Sequence, residues 1–411
     1  MNANAAISVA EAQARILAHL PSDRPVETVP LARALGRTLA RDIVSKRTQP
    51  PAAVSAMDGY AVRAADLGSL PARLKQIGES AAGHGFSGSL GLGETVRIFT
   101  GAPVPEGADA ILIQEDARVE AGSIEPLRGV AAGQFIRPAG LDFNAGDALL
   151  RAGTRLGPAA IALAAAMNHA ELQVARRPRV GILATGDELV LPGSAPGPHQ
   201  IVASNGFAIT ALVEWAGGEA FDLGVAPDDL SALESAIRAA IAAECDVLAT
   251  TGGASVGDHD LIRPALAMAG MELSFWRIAL RPGAPLLHGR IGRTAILGLP
   301  GNPVSAIVGG VLFLAPLVRA LSGDPLAASD RSEAAILGAP LRANDRRQDY
   351  LRAKLEAGGD GPPVATPFES QDSSLLSVLA KAQCLVIRPP HALAAKAGDG
   401  CRILRLPGAA V

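Results

Sequence analysis

Cysteine is scarce in this chain. Cys245, Cys384 and Cys401 lie far apart and never in Cys-x-x-Cys spacing, which excludes a structural zinc site and points to a reducing compartment. Basic charge is not in excess: 37 Lys and Arg stand against 40 Asp and Glu, for a net charge of -3. With no basic block, general nucleic-acid binding lacks its electrostatic footing. Long apolar runs are missing as well. Residues 1–20 carry no basic start and no extended apolar core, so they do not read as a secretory signal. Residues 159–167 are too short to span a bilayer and end at Asn168-His169. Residues 304–318 are interrupted by Gly309-Gly310 and Pro316 and read as a buried helix. No membrane segment is expected, and the location expected is cytoplasmic. Aromatics make up 3% of the chain, whereas glycine (45) and proline (30) are plentiful. This is the composition of a globular protein from a GC-rich genome rather than of a disordered chain. At roughly 100–200 residues per domain, the length makes about two to four domains.

Ser8-Val9-Ala10-Glu11 is a capping-box pattern, so a helix is expected from there to about Leu20, before Pro21. Leucines at 31, 35 and 39 predict a second short helix over 29–40. A loop of small residues leads into Met57-Asp58-Gly59-Tyr60. Gly59 permits a tight turn that presents Asp58, and a strand resumes at Tyr60. From about 70 to 147 the pattern is β-rich, with short apolar runs such as 95–99 and 110–114 between glycines and prolines. Thr100-Gly101-Ala102-Pro103, followed by Glu106 and Asp109, is a stiff loop that displays Thr100 and acids. Gly140-Leu141-Asp142-Phe143 sets another acid in a loop. Helix returns over 156–174.

After Pro178, strands alternate with helices. Strands are expected at 179–184, 219–224, 246–250, 273–279 and 294–297. Helices are expected at 204–215, with Ser204 or Asn205 as cap, at 230–243, at 261–268 and from Val304. This is the pattern of a doubly wound parallel sheet. The last module has strand-like runs at 334–337, 350–355, 384–388 and 401–406 and a short helix at 375–382, which suggests a small β-barrel. Arg346, Arg347 and Arg352 there offer charge to an anion, or simply line a solvated surface.

The stretch Thr251-Gly252-Gly253-Ala254-Ser255-Val256-Gly257-Asp258-His259-Asp260 joins the third of these strands to a helix. Its glycines let an anion approach the backbone closely. A strand–turn–helix loop also aims free N–H groups and the helix dipole at such an anion. Thr251 and Ser255 add hydroxyls, and Asp258 and Asp260 are oxygen ligands for a hard cation such as magnesium. The loop therefore reads as a site for a phosphate-bearing ligand. It is neither a Walker A loop nor a dinucleotide fingerprint. Two other readings stand beside it: a βα turn with no ligand, and the nucleophile elbow of a serine hydrolase. For the elbow, Ser255 sits in Gly-x-Ser-x-Gly, and His259, His288 and His391 are the downstream histidines. Position favours a ligand site. Asp187-Glu188, Asp228-Asp229, the glycine loop, Arg281 and Asn302 each follow a predicted strand, and such ends line one crevice in an open parallel sheet.

Ser55 to Val62, Thr100-Gly101-Ala102-Pro103 with Glu106-Gly107-Ala108-Asp109, Ala184-Thr185-Gly186-Asp187-Glu188-Leu189, Ser204-Asn205, the glycine loop, and Gly298-Leu299-Pro300-Gly301-Asn302-Pro303 follow one another across nearly the whole chain. Together they resemble the molybdopterin molybdenumtransferase family, the group of MoeA and the gephyrin E domain. The resemblance implies a fold of α/β plus β class in four domains. These are a helical linker domain over 1–50 and 147–177, an inserted elongated β domain over 51–146, a doubly wound molybdopterin-binding α/β domain over 178–325, and a C-terminal β-barrel over 326–411. It implies a homodimer whose active site is shared between the α/β domain of one subunit and the β domain of the other. The implied reaction transfers molybdenum from molybdate to adenylylated molybdopterin with magnesium-dependent release of AMP, beside a separate molybdopterin adenylyltransferase.

By the same resemblance, Asp58, Thr100, Asp142, Glu188, Asp228, Asp260 and Arg281 are assigned to catalysis. Thr251, Gly252, Gly253, Ala254, Ser255, Gly257, Asn205, Pro300, Asn302, Ser373 and Arg352 are assigned to the cofactor, and Asp187, Glu188 and Asp258 to magnesium. The chain departs from the family pattern at Ala203, where aspartate is usual, at Arg281 and Ala284, where lysines are usual, and at His259. These departures leave open a paralogue that binds or carries the cofactor without turnover.

Overall fold

The computed structural model describes residues 6–21, 23–120, 122–253 and 261–408. They pack as two compact units. Thr28–Leu35 and Arg41–Leu172 form one; Gly36–Ala40 and Gln173 onward, with the stretch up to Glu27, form the other.

The larger unit holds a six-stranded sheet in the order Glu219–Ala226, Arg179–Thr185, Val247–Thr251, Thr294–Leu299, Pro285–Ile291, Glu272–Arg277. The first four strands are parallel. Val247–Thr251 and Thr294–Leu299 are buried at every position, as befits strands covered on both faces. Val9–Leu17, Asn205–Ala216 and the helix Pro303–Leu321 cover one face. Leu230–Ala242 and Ile262–Met268 cover the other. The chain passes from Arg179–Thr185 outward to Glu219–Ala226, then back across to Val247–Thr251. The strand order therefore reverses between Arg179–Thr185 and Val247–Thr251, the place where a crevice opens outside the carboxyl ends of an α/β sheet.

The sheet is not wholly parallel. Pro285–Ile291 runs antiparallel to both its neighbours. Proline, histidine and glycine within that stretch mask its strand character in the sequence. Gly289 is needed there, because a Cβ would lie 2.6 Å from the Glu272 carbonyl on the next strand. The strand expected at 273–279 ends at Arg277, and Leu280–Arg281 pairs instead with Gln348–Glu356. The C-terminal module closes as expected. Gln348–Glu356, Val364–Pro367, Glu333–Leu337, Gly400–Arg405 and Cys384–Arg388 follow one another around a five-stranded barrel, and the last pairs with the first. Val364–Pro367 is a strand the sequence does not announce.

Pro303–Leu321 is 19 residues long and apolar enough to cross a membrane, but 72% of its apolar window is buried. It is a core helix. At Gly310 a Cβ would sit 2.8 Å from Leu212 Cδ1, so glycine lets this helix lie close against Asn205–Ala216.

The smaller unit is built on a curled six-stranded sheet in the order Ala110–Ile113, Gly59–Val62, Glu94–Ile98, Leu74–Ser80, Ser123–Pro126, Ala117–Glu120. Gly59–Val62 is buried throughout. Tyr60 and Val62 enter one core cluster and Ala61 the other, as strand alternation requires. Two helical expectations fail near here. Residues 29–40 give the strand Val26–Pro30 and a single 3-10 turn, Leu31–Arg33. Pro30 cannot donate a backbone hydrogen bond, and Gly36 takes φ +72. The helix expected over 156–174 is Pro158–Ala166 only. Asn168 adopts φ +70, and Glu171–Ala175 is a strand.

His288, on the antiparallel strand, is 3% exposed, and burial pushes its pKa from 6.5 down to about 4. The unfolded chain takes up a proton near the higher value, which the folded chain refuses until the lower one. The stability due to a neutral His288 is therefore full above pH 6.5 and is lost as pH falls toward about 4. We expect the urea midpoint to fall across that interval and the fall to be shallower in His288→Gln, measured at matched ionic strength.

Candidate active-site crevice

Thr185 ends its strand buried, and Gly252 opens the glycine loop on the neighbouring strand. At Gly252 (φ +94) a Cβ would lie 2.4 Å from the Thr185 carbonyl oxygen. Only glycine allows this approach. The Gly252 N–H donates to the Leu299 carbonyl at 3.3 Å, and a Cβ on Gly301 would stand 3.6 Å from Gly252 Cα. Three strand ends, at 185–188, 251–253 and 299–302, are thus drawn together at the reversal point. Thr251 and Pro300 are buried beneath them.

Two polar atoms are left over along this line. Thr185 Oγ1 and Asn205 Oδ1 are buried without a hydrogen-bond partner among the described residues. Asn205 Nδ2 donates to the Gly301 carbonyl at 2.7 Å, which fixes the amide and leaves its oxygen as the open acceptor. Asn302 Nδ2 donates to Ser373 Oγ at 3.1 Å, and the Val304 N–H donates to the Ser373 carbonyl at 3.2 Å. A loop of the barrel therefore closes onto the third strand end.

Asp187 and Glu188 are exposed at the mouth. Asp187 Oδ1 accepts the Asp228 N–H at 3.0 Å, tying a fourth strand end to the first. Asp229 is occupied as the N-cap of Leu230–Ala242: the Ser231 hydroxyl and the Ala232 N–H donate to it and hold its carboxyl below the usual range. Among the described residues, no group of three His, Cys, Asp or Glu gathers as a metal cage. Two adjacent carboxylates suit magnesium all the same, because that ion commonly takes one or two carboxylates and completes its shell with water and phosphate. Ala203 is 7% exposed, and its methyl group offers no ligand. Ala254, Ser255, Gly257, Asp258, His259 and Asp260 lie outside the described residues.

Arg281 is placed differently from the sequence expectation. It does not stand free at the sheet edge. Its guanidinium donates to Asn344 Oδ1 at 2.9 Å and pairs with Asp345 at 3.4 Å and with Asp349. Asp349 is 4% exposed. Two carboxylates of the barrel thus oppose the charge, and nothing in the sequence around Arg281 signals them. Arg352 is carried by the barrel strand Gln348–Glu356. It is 1% exposed, and its guanidinium donates to the side chain of Gln371 and to the carbonyls of Leu375 and Ser370. It braces the loop that carries Ser373. Arg347 is paired with Asp345.

In the smaller unit, the Thr100 N–H and hydroxyl donate to Asp58 Oδ1 at 2.7 and 2.8 Å. These bonds, aided by the charge of Arg97, hold the Asp58 carboxyl below its ordinary range. Arg97 is a residue that sequence reasoning misses. It lies 5.0 Å from each of the Tyr60 and Phe99 ring centres and donates to Gln114 Oε1 at 2.8 Å. Its only sequence signal is a lone base in a strand three residues before Thr100. Asp142 is exposed on a different loop, where its N–H donates to the Gln49 carbonyl at 3.0 Å. Of the three histidines of the hydrolase reading, His259 lies outside the described residues, as does Ser255. His288 is locked in the sheet against the Ile296 carbonyl at 2.9 Å, and His391 is exposed in a barrel loop.

Three family descriptions match the chain in succession: MoeA N-terminal region (domain I and II) over residues 7–168, probable molybdopterin binding domain over 181–320, and MoeA C-terminal region (domain IV) over 334–406. A protein of Haemophilus influenzae named molybdopterin molybdenumtransferase is 35% identical over 382 residues, covering 93% of this chain and 94% of its own length. One of the same name from Nostoc sp. is 34% identical over 400 residues, covering 94% and 90%. A solved structure of the molybdopterin biosynthesis MoeA protein from Pyrococcus horikoshii matches with TM-score 0.83 at 29% identity, covering 98% of this chain and 100% of its own.

Two substitutions test the geometry. Thr100→Ala removes one of the two donors, so the Asp58 pKa should rise toward the ordinary carboxylate value while remaining below it, as read by NMR titration. Gly252→Ala forces a side chain against a backbone oxygen at positive φ and should cost about 1–3 kcal/mol, measured by urea unfolding.

Proposed function

From the premise that this chain belongs to the molybdopterin molybdenumtransferase family and is a transferase of molybdenum cofactor biosynthesis, we propose that it joins molybdenum from molybdate to adenylylated molybdopterin and releases AMP. The observation that carries this reading is the convergence of three strand ends at the reversal point of the sheet, with glycine at the closest approach and two polar oxygens left open. The glycine loop, with Gly252, Gly253, Ser255 and Gly257, takes the phosphates; glycine-rich turns of this kind bind anions through backbone N–H groups, and the Gly252 N–H is kept by the Leu299 carbonyl. Asn205 Oδ1 is the acceptor for a ring N–H of the pterin, because its own Nδ2 is already committed to Gly301.

Asp187 and Glu188, with Asp258, hold magnesium. The ion supplies neutralisation of charge on the phosphoryl oxygens. Asp228 keeps Asp187 oriented through its N–H. Ser373, held by Asn302 and backed by the loop that Arg352 braces, closes the barrel side of the crevice. Arg281 supplies the cation for an incoming oxyanion and gives up part of its pairing with Asp345 to do so. The enzyme works in the cytoplasm as a homodimer, in which Asp58 and Thr100 of the second subunit complete the site. A separate molybdopterin adenylyltransferase supplies the substrate.

The test is a turnover assay with purified protein, adenylylated molybdopterin, magnesium and molybdate, following AMP and metal-loaded cofactor. Molybdate-dependent AMP release is expected. Asp187→Asn should raise the magnesium needed for half-maximal rate by about 10-fold or more. Tight binding of the substrate without AMP release would sink the transferase reading and leave a cofactor carrier.

A further inference from the structure

Arg281 meets two carboxylates of the barrel, and the two differ in kind. Asp349 is buried on the strand Gln348–Glu356 and pairs with Arg281 closely. Asp345 is exposed in the loop before that strand and reaches Arg281 at 3.4 Å, a long contact for a charged pair. Its nearer partner is Arg347, whose Nη2 donates to the same oxygen, Oδ2, at 2.6 Å. One exposed carboxylate oxygen is thus shared by two guanidinium groups.

The loop does not depend on this charge. Asn344 Nδ2 donates to the carbonyls of Arg347, Arg388 and Pro389 at 2.7, 3.2 and 3.0 Å. The Asp345 N–H donates to Asn344 Oδ1 at 2.9 Å, and the Asp345 carbonyl accepts the His391 N–H at 2.7 Å. Asp345 Oδ1 accepts the Arg347 N–H at 2.8 Å, a bond that an asparagine oxygen also makes. Arg281 does not need Asp345 for neutrality either, because Asp349 already opposes it. What the Asp345 charge alters is the field that a ligand meets. Arg281 and Arg347 are balanced by Asp345 and Asp349. An anion arriving at Arg281 therefore meets four charges of zero sum, and a carboxylate already in place. The Arg347 guanidinium and N–H hold the Asp345 carboxyl well below its ordinary range, so protonation does not remove it near neutral pH.

We infer that Asp345 is an internal competitor at Arg281: its carboxylate occupies the guanidinium, lowers the affinity of this chain for molybdate, and so sets the concentration at which the oxyanion enters. The inference rests on the proposed role of Arg281. Binding alone decides it, without cofactor or turnover.

The test is calorimetry with sodium molybdate at matched ionic strength. It compares the unsubstituted chain with Asp345→Asn, Asp345→Glu and Asp345→Asn/Arg281→Gln. Asp345→Asn is expected to bind about 10-fold more tightly or better. Asp345→Glu keeps the competing charge and should stay within about 3-fold of the unsubstituted chain. The gain should vanish in the double variant, because it acts through Arg281. A carboxylate that only braced the loop would give the opposite sign, with Asp345→Asn binding more weakly. Unchanged or weaker binding in Asp345→Asn, a gain that survives the loss of Arg281, or no molybdate binding by any of these proteins overturns the inference. Tighter binding in Asp345→Asn without AMP release in the turnover assay would sink the transferase reading and leave this one standing.

Discussion

Three backbone segments meet at the carboxyl edge of the α/β sheet with no room for a side chain between two of them. Gly252 lies against the Thr185 carbonyl and beside Gly301. The meeting occurs where the strand order reverses, so the helices that leave the two central strands pass to opposite faces and leave a gap between them. Sheet topology opens the crevice, and the absence of one methyl group lets its walls close to bonding distance. The acids at 187 and 188, the amide of Asn205 and the Asn302–Ser373 contact take their places from that approach.

Several charges around the sheet and the barrel are committed to partners. Arg281 is tied to Asp345 and Asp349, Arg347 to Asp345, and Arg176 to Asp246. The pairs at Asp345 are exposed, and exposed pairs contribute little to stability. Their effect here is one of placement. The Arg281 pairs, with the parallel pairing of Leu280–Arg281 against Gln348–Glu356, fasten the barrel to the α/β sheet, and this brings Ser373 onto the crevice. An oxyanion that enters beside Arg281 meets a cation already shared with carboxylates, so its binding is an exchange of partners.

The smaller unit applies a similar device on a different scaffold. Gly59–Val62 is buried on both faces, so the turn before it is rigidly held, and Asp58 is presented with one oxygen already fixed by Thr100. A carboxylate prepared in this way has its pKa held below the ordinary range. Arg97, stacked between two rings, supplies the local positive charge.

Much of this was legible in the residues alone. The apolar runs before Thr185, Thr251 and Leu299 announce strands, the glycines after them announce tight approach, and the order of motifs identifies the family. Periodicity and turn chemistry are local properties, and a chain carries them without its neighbours. Residues 29–40 show the limit, because leucine spacing there suggests a helix while Pro30 and Gly36 deny it. What only the tertiary structure decided depends on distant partners. The transfer of Leu280–Arg281 to the barrel and the pairing of Arg281 with Asp349 join residues tens of positions apart, and the direction of Pro285–Ile291 is set by the strands it packs between. No local pattern encodes which carboxylate a guanidinium will meet. That is settled when the sheet and the barrel pack, by the geometry that buries the most apolar surface and leaves the fewest charges alone.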